Sequence, residues 1–172
     1  MMLKRKFIQG IYLGEINMKN IKICFAASSG GHFEQLMMLA PLMDKYKSFI
    51  VTEKTNYNIE KKQDKNVYYL SQINRKEKMW ILKFILNFLI SLKIFFKEKP
   101  DVVISTGVLA TIPMCLICKL FKRKLIYIES FAKVTSPTLS GKLLYKYADR
   151  FYVQWESMLK IYPKAIYLGG IY

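Results

Sequence analysis

The sequence predicts an α/β fold built on a doubly wound parallel sheet, and three observations predict it. Short apolar runs suited to strands alternate with segments of helical length along most of the chain. The first run, residues 21–27 (IKICFAA), is apolar at successive positions, as a strand covered on both faces requires. The runs are separated by helices of ten or more residues, the length of right-handed crossovers between parallel strands.

In chain order, residues 21–27 form the first strand, and Ser28-Ser29-Gly30-Gly31 breaks it. Residues 32–44 read as one helix, with Phe33, Leu36, Met37, Leu39 and Ala40 on its apolar side. Strands follow at 48–52 (SFIVT) and 67–70 (VYYL), then a long apolar segment at 79–96. Pro100 and Asp101 lead into a strand at 102–106 (VVIST), and Gly107 turns the chain into a helix over 108–121. A strand at 125–129 (LIYIE), a helix at 141–148 and short strands at 151–154 and 166–168 complete the pattern. Ligands of such sheets bind beyond the carboxyl ends of the strands. The segments of interest are therefore 28–32, 52–55, 105–107 and 129–136.

A chain of 172 residues suits one domain with a core that needs no disulfide. Residues 1–17 carry Lys4, Arg5 and Lys6 but no apolar stretch long enough for a signal peptide. They are expected to be an extension or a mis-assigned start upstream of Met18, with the domain running from 18 to 172. Cys24, Cys115 and Cys118 make an odd number in apolar runs, which points to a reducing compartment. Cys115 and Cys118 read as core residues one helical turn apart, because a zinc site would need a second ligand pair. No metal and no cofactor is expected. The net charge of +16 calls for an anionic partner. Nucleic acid is disfavoured, since no helix-turn-helix, RRM, KH or zinc-finger pattern is present.

The turn after the first strand has two readings. Gly30 and Gly31 allow close backbone approach, Ser28 and Ser29 add hydroxyls, and free N–H groups suit a phosphate. His32, the sole histidine, would act there as a base or a phosphate donor. Alternatively the glycines serve geometry alone and His32 faces solvent. Dinucleotide binding is disfavoured because G-x-G-x-x-G is absent, although Glu53 follows the second strand where a ribose-binding acid would lie.

Residues 79–96 (MWILKFILNFLISLKIFF) approach the length of a bilayer core. Lys83 and Lys93 lie inside the segment, and each costs about 2.5–3.5 kcal/mol at a helix centre. A spanning helix is thus disfavoured, and a helix lying on an anionic membrane surface, over about 79–97, is expected. Trp80, Lys83, Phe84, Phe88 and Lys93 are the residues expected to carry this contact. A crossover helix buried against the sheet is the other reading.

Several segments together resemble a known family: FAASSGGHFEQLMML, FIVTEKT, PDVVISTGVLATIP, YIESFAKVTSPTLSGKLLYKYADRFYVQWE and YPKAIYLGG. They resemble the PssD-type polysaccharide biosynthesis proteins, from about Met18 to the end. These are related to the acceptor subunit of the two-part N-acetylglucosaminyltransferase of eukaryotic N-glycan assembly. They are also similar to the N-terminal domain of GT-B glycosyltransferases such as MurG. The resemblance implies a Rossmann-like domain equivalent to the N-terminal half of a GT-B enzyme. It implies an acceptor, a polyprenyl-diphosphate-linked saccharide, bound here at the cytoplasmic face of the cell membrane. A PssE-like partner would bind most of the UDP-sugar and complete the site. The eukaryotic relatives carry an N-terminal transmembrane helix, and residues 1–17 are too short and polar to match it. Membrane contact, peripheral or monotopic, would then rest on the 79–97 helix.

On this reading Ser28, Ser29, Gly30 and Gly31 hold the acceptor's diphosphate or sugar, and Ser105, Thr106 and Gly107 hold its hydroxyls. His32 is the expected base. Glu129 either accepts a proton or shapes the cleft through Ser130 and the following backbone. Trp155 and Glu156 point either to the partner interface or to ordinary packing. Two other functions fit the residues: a non-catalytic membrane adaptor that activates a complete partner enzyme, and a nucleotide-binding regulator.

Overall fold

The computed structural model describes residues 21–54 and 66–172. The extension expected at 1–17 and the start at Met18 lie outside the described residues. Seven strands form one sheet: β1 (Lys22–Ala27), β2 (Lys47–Glu53), β3 (Asn66–Leu70), β4 (Val102–Gly107), β5 (Lys124–Ile128), β6 (Arg150–Val153) and β7 (Ile166–Tyr167). Their order is β3-β2-β1-β4-β5-β6-β7, and every neighbouring pair is parallel. The expected doubly wound sheet is therefore present. Its order reverses between β1 and β4, which opens a crevice at their carboxyl ends.

Alternation along the buried strands feeds two cores. Ile23, Phe25, Ile50 and Ile104 face α1 (Gly31–Met37) and α2 (Ala40–Lys45) through Leu36, Leu39 and Met43. Cys24, Ala26, Phe49 and Val103 face α3 (Trp80–Glu98), α4 (Ile112–Leu120) and α5 (Leu139–Leu144) through Ile94, Phe95, Cys115 and Leu144. The three cysteines are free and buried, and burial pushes the Cys115 thiol up to about 12.

Three helices differ from expectation. The single helix over 32–44 is two helices, because Pro41 sits in the first turn of α2, where it needs no N–H partner but breaks a continuous ladder. Pro113 likewise opens α4, and the residues before it form a 3₁₀ turn, Leu109–Thr111. α5 starts two residues before Gly141 because Thr138 caps it, its Oγ1 accepting the Gly141 N–H at 2.8 Å. α3 ends where Lys99 adopts a left-handed conformation (φ 48°) and Pro100 blocks continuation.

The polar arc of α3 faces inward. Asn87 and Ser91 are fully buried, whereas Ile81, Leu82, Ile85, Leu86, Leu89 and Phe96 are each about half exposed. Asn87 is satisfied by the loop after β3: its Oδ1 accepts from the Ser71 N–H at 2.9 Å and its Nδ2 donates to the Ser71 carbonyl at 2.8 Å. No helix among the described residues is long and apolar enough to cross a membrane.

Candidate functional site

The site forms where the turns after β1 and β4 meet. The β1–β4 register shifts between Ala26 and Ala27, so that Ala26 pairs with Ser105 and Ala27 with Gly107. Thr106 is the extra residue of this irregularity, and the bulge turns it toward the helix that follows Gly30. The Thr106 carbonyl accepts from His32 Nδ1 at 2.7 Å, and Thr106 Oγ1 donates to the His32 carbonyl at 2.8 Å. A carbonyl can only accept, so Nδ1 carries the proton and Nε2 of the neutral ring is the free acceptor nitrogen. Gly107 (φ +99°) lies against this ring, and a Cβ there would stand 3.6 Å from it and 3.1 Å from Tyr127 Oη.

His32 borders two adjoining hollows. The larger, about 550 Å³, is lined by Gln72, Asn74 and Arg75 from the loop after β3, by Gly107 and Tyr127, and by Lys133, Thr138 and Leu139 from the loop after β5. Among the described residues no carboxylate lines it. Burial, with the charge of Glu129 beside it, raises the Tyr127 phenol well above its ordinary range and keeps it a donor. The smaller hollow, about 430 Å³, is lined among the described residues by Gly31, His32, Gln35, Ser130, Phe131, Ala132 and Tyr172, none of them permanently charged. Phe131 packs against both Trp155 and Tyr172, with ring centroids 4.9 and 5.0 Å apart. A third hollow of about 660 Å³ lies at the amino-terminal edge of β6, away from the strand ends where this fold places its chemistry.

Of the residues expected to bind acceptor, Gly31 and Gly107 border a hollow. Ser28, Ser105 and Thr106 do not. They are buried, and their hydroxyls are engaged in the fold: Ser28 with the Ser29 carbonyl, Ser105 with the Gly107 N–H, Thr106 with His32. Ser29 turns to Glu53, its N–H and Oγ both 3.4 Å from Oε2, and Glu53 also accepts from the Ile73 N–H at 3.4 Å. Glu53 thus ties the loop after β3 to the glycine turn.

Glu129, expected either to accept a proton or to shape the cleft, is buried beneath the rim loop and hydrogen-bonded to it. The residue is 1% exposed. Oε1 accepts from the Ser130 N–H and Thr138 Oγ1, at 2.9 and 2.8 Å, and Oε2 from the Thr138 N–H and Tyr162 Oη, at 3.2 and 3.0 Å. Both ends of the rim loop are therefore fastened to one carboxylate. Gln35 and Gln154 bracket its backbone, each donating to the Glu129 carbonyl, at 3.2 and 2.8 Å. Trp155 Nε1 donates to the Phe131 carbonyl at 2.6 Å, so Trp155 supports the same loop.

On α3, Trp80, Phe84 and Phe88 are half-buried against the core, and Lys83 pairs with Glu77. Lys93 is exposed. The outward apolar face belongs to the residues between these positions. The sequence reading missed Arg75 and Lys133. The strand-end rule applied to the loop after β3 would have drawn attention to Arg75, and Lys133 lies inside a segment that rule had already marked.

The profile of the family described as oligosaccharide biosynthesis protein Alg14 like matches residues 23–171. The chain belongs to the Alg14-like family. The UDP-N-acetylglucosamine transferase subunit ALG14 of Candida albicans is 32% identical over 82% of this chain and 74% of its own length. The subunit of the same name from Homo sapiens is 25% identical over 89% of this chain and 84% of its own. Among solved structures, the MurG of Acinetobacter baumannii superposes with a TM-score of 0.67 at 15% identity, over 80% of this Alg14-like chain. A UDP-N-acetylglucosamine 2-epimerase from Rickettsia bellii gives 0.67 at 15% over 88%. The chain spans 42% and 45% of those two proteins, and at such identities the likeness is one of fold.

Proposed function

We propose that this Alg14-like chain is the acceptor-binding, membrane-associating subunit of a heterodimeric GT-B glycosyltransferase. The observation that carries the reading is His32: one ring with a fixed tautomer, standing between a cation-rimmed hollow and an uncharged aromatic one. The first hollow suits an anionic acceptor, and the second suits the sugar end of a donor held by a partner. In the reaction, His32 Nε2 takes the proton of the acceptor hydroxyl as its oxygen attacks the anomeric carbon. The bond from that carbon to the UDP oxygen breaks on the opposite side. UDP leaves with the electron pair, and the new glycosidic bond is inverted. The PssE-like partner supplies the second Rossmann-like domain, most of the UDP-sugar contacts and stabilisation of the departing diphosphate.

The acceptor is a polyprenyl-diphosphate-linked saccharide of surface polysaccharide biosynthesis, capsule or exopolysaccharide. The setting is the cytoplasmic face of the membrane. The exposed apolar face of α3 and the net charge of +16 support contact with an anionic leaflet.

A transfer assay tests the reading in membranes holding this chain, the partner, or both, with a panel of UDP-sugars and polyprenyl-diphosphate-linked sugars. Transfer is expected from the pair alone, and His32→Ala should abolish it while co-purification persists. Full transfer by the partner alone would reduce this chain to an adaptor. Near-normal turnover with His32→Ala would remove the histidine from the chemistry.

A further inference from the structure

We propose that Arg75 and Lys133 form a clamp for the diphosphate of the lipid-linked acceptor, a role that passes from the serine–glycine turn to these two cations. The inference rests on the acceptor-side reading above and adds where the charged group sits. Arg75 and Lys133 come from different loops and line the same 550 Å³ hollow. Neither appears in an ion pair among the described residues. Among the described residues the lining holds no carboxylate to neutralise them, and a concave low-dielectric wall concentrates their field.

Both loops carry hydrogen bonds of their own that hold their shape. Asn74 folds the first, its Oδ1 accepting from the Lys76 N–H at 3.1 Å and its carbonyl from the Glu77 N–H at 3.0 Å. The second is fastened to Glu129 at both ends, and the Lys133 N–H donates to the Ser130 carbonyl at 3.0 Å. Ordering that need not occur on binding is not charged against affinity. A planar guanidinium and a compact ammonium together match adjacent phosphate groups.

The surroundings select a lipid-linked diphosphate. Leu139, 61% exposed, lines the same hollow as Lys133, and Met79, 57% exposed, caps the start of α3, the helix that follows the Arg75 loop in sequence. A polyprenyl tail can leave over this apolar rim toward the outer face of α3. The sugar end then points inward to His32. Ser28 and Ser29, by contrast, spend their hydroxyls on the Ser29 carbonyl and Glu53.

Isothermal titration of the full chain with geranyl diphosphate, inorganic pyrophosphate and UDP tests the clamp. Geranyl diphosphate is expected to bind best. Arg75→Gln and Lys133→Gln should each weaken it about tenfold, the double variant more, and Lys142→Gln, an exposed lysine outside the hollow, not at all. Unchanged thermal midpoints are expected, because neither side chain supports the fold. Undetectable binding of geranyl diphosphate, or binding indifferent to both substitutions, overturns the clamp. Pyrophosphate bound as tightly as geranyl diphosphate overturns its lipid assignment, and UDP bound most tightly moves the donor to this site. If the co-expressed pair transfers sugar while the variants bind normally, the clamp fails and the glycosyltransferase reading stands. Clamp-dependent binding without transfer by the pair gives the reverse.

Discussion

Glu129 holds the rim loop from a buried position. Four donors converge on its carboxylate, and the closest neighbour of that cluster is a residue without a side chain. A Cβ at Gly141 would lie 2.0 Å from Glu129 Oε2 and 2.8 Å from both Thr138 Oγ1 and Tyr162 Oη. Gly141→Ala is therefore expected to cost about 1–3 kcal/mol, as overpacking of a rigid buried site does. It should also speed amide exchange over residues 130–138. Urea unfolding and hydrogen exchange check both effects, and protection equal to wild type would mean that the loop does not depend on Glu129. The sequence marked Glu129 because it ends an apolar run. It could not show that Thr138 and Tyr162 return to it, since both contacts depend on how the chain folds back after β5.

At the scale of elements, α3 is the informative case. Its polar arc was legible in the sequence, but a helical wheel does not say which arc meets the sheet. Asn87 faces inward because the Ser71 backbone supplies both an N–H and a carbonyl to it. Asn87→Leu should destabilise by about 1–3 kcal/mol, leaving the part-buried backbone groups of Ser71 unpaired. Ser91→Ala should be neutral or stabilising, because Ser91 Oγ is buried without a hydrogen-bond partner among the described residues. Thermal or urea midpoints of the two variants should diverge in that direction. The outer face makes a separate prediction. Leu82→Glu with Leu89→Glu alters two side chains that are each 57% exposed, so stability should change little. Flotation with vesicles containing anionic lipid should be lost. Wild-type flotation should weaken as salt rises, because surface attraction is screened within about 10 Å at 0.1 M. Unaltered flotation of the double variant would remove α3 from the membrane contact.

For the whole molecule, net positive charge makes the few structural carboxylates decisive for acid stability. Burial alone would raise the Asp149 carboxyl, but the Lys119 ammonium and the Leu125 N–H, each at 2.8 Å, hold it below its ordinary value of 3.8. A lowered folded pKa contributes stability that is complete above the ordinary value and fades as pH falls through the lower one. Asp149→Asn should be less stable than wild type near neutrality, and the gap should narrow below about pH 4. Denaturant midpoints from pH 7 to pH 3 measure that gap, and a constant gap would show that Asp149 acts without its charge.

The sequence by itself determined the α/β class, the strands to within one or two residues, the histidine after the glycine turn and the apolar crossover helix. Apolar runs, turn residues and periodicity are local signals, and a single chain displays them without help from its fold. Only the tertiary structure decided which loops share a hollow, which face of α3 is outward, that Glu129 is a buried anchor and that Arg75 and Lys133 line one hollow. Those outcomes follow from the strand order, which reverses at β1 and β4 and brings distant carboxyl ends together. Side-chain hydrogen bonding across that crevice then chooses partners that no spacing along the chain encodes.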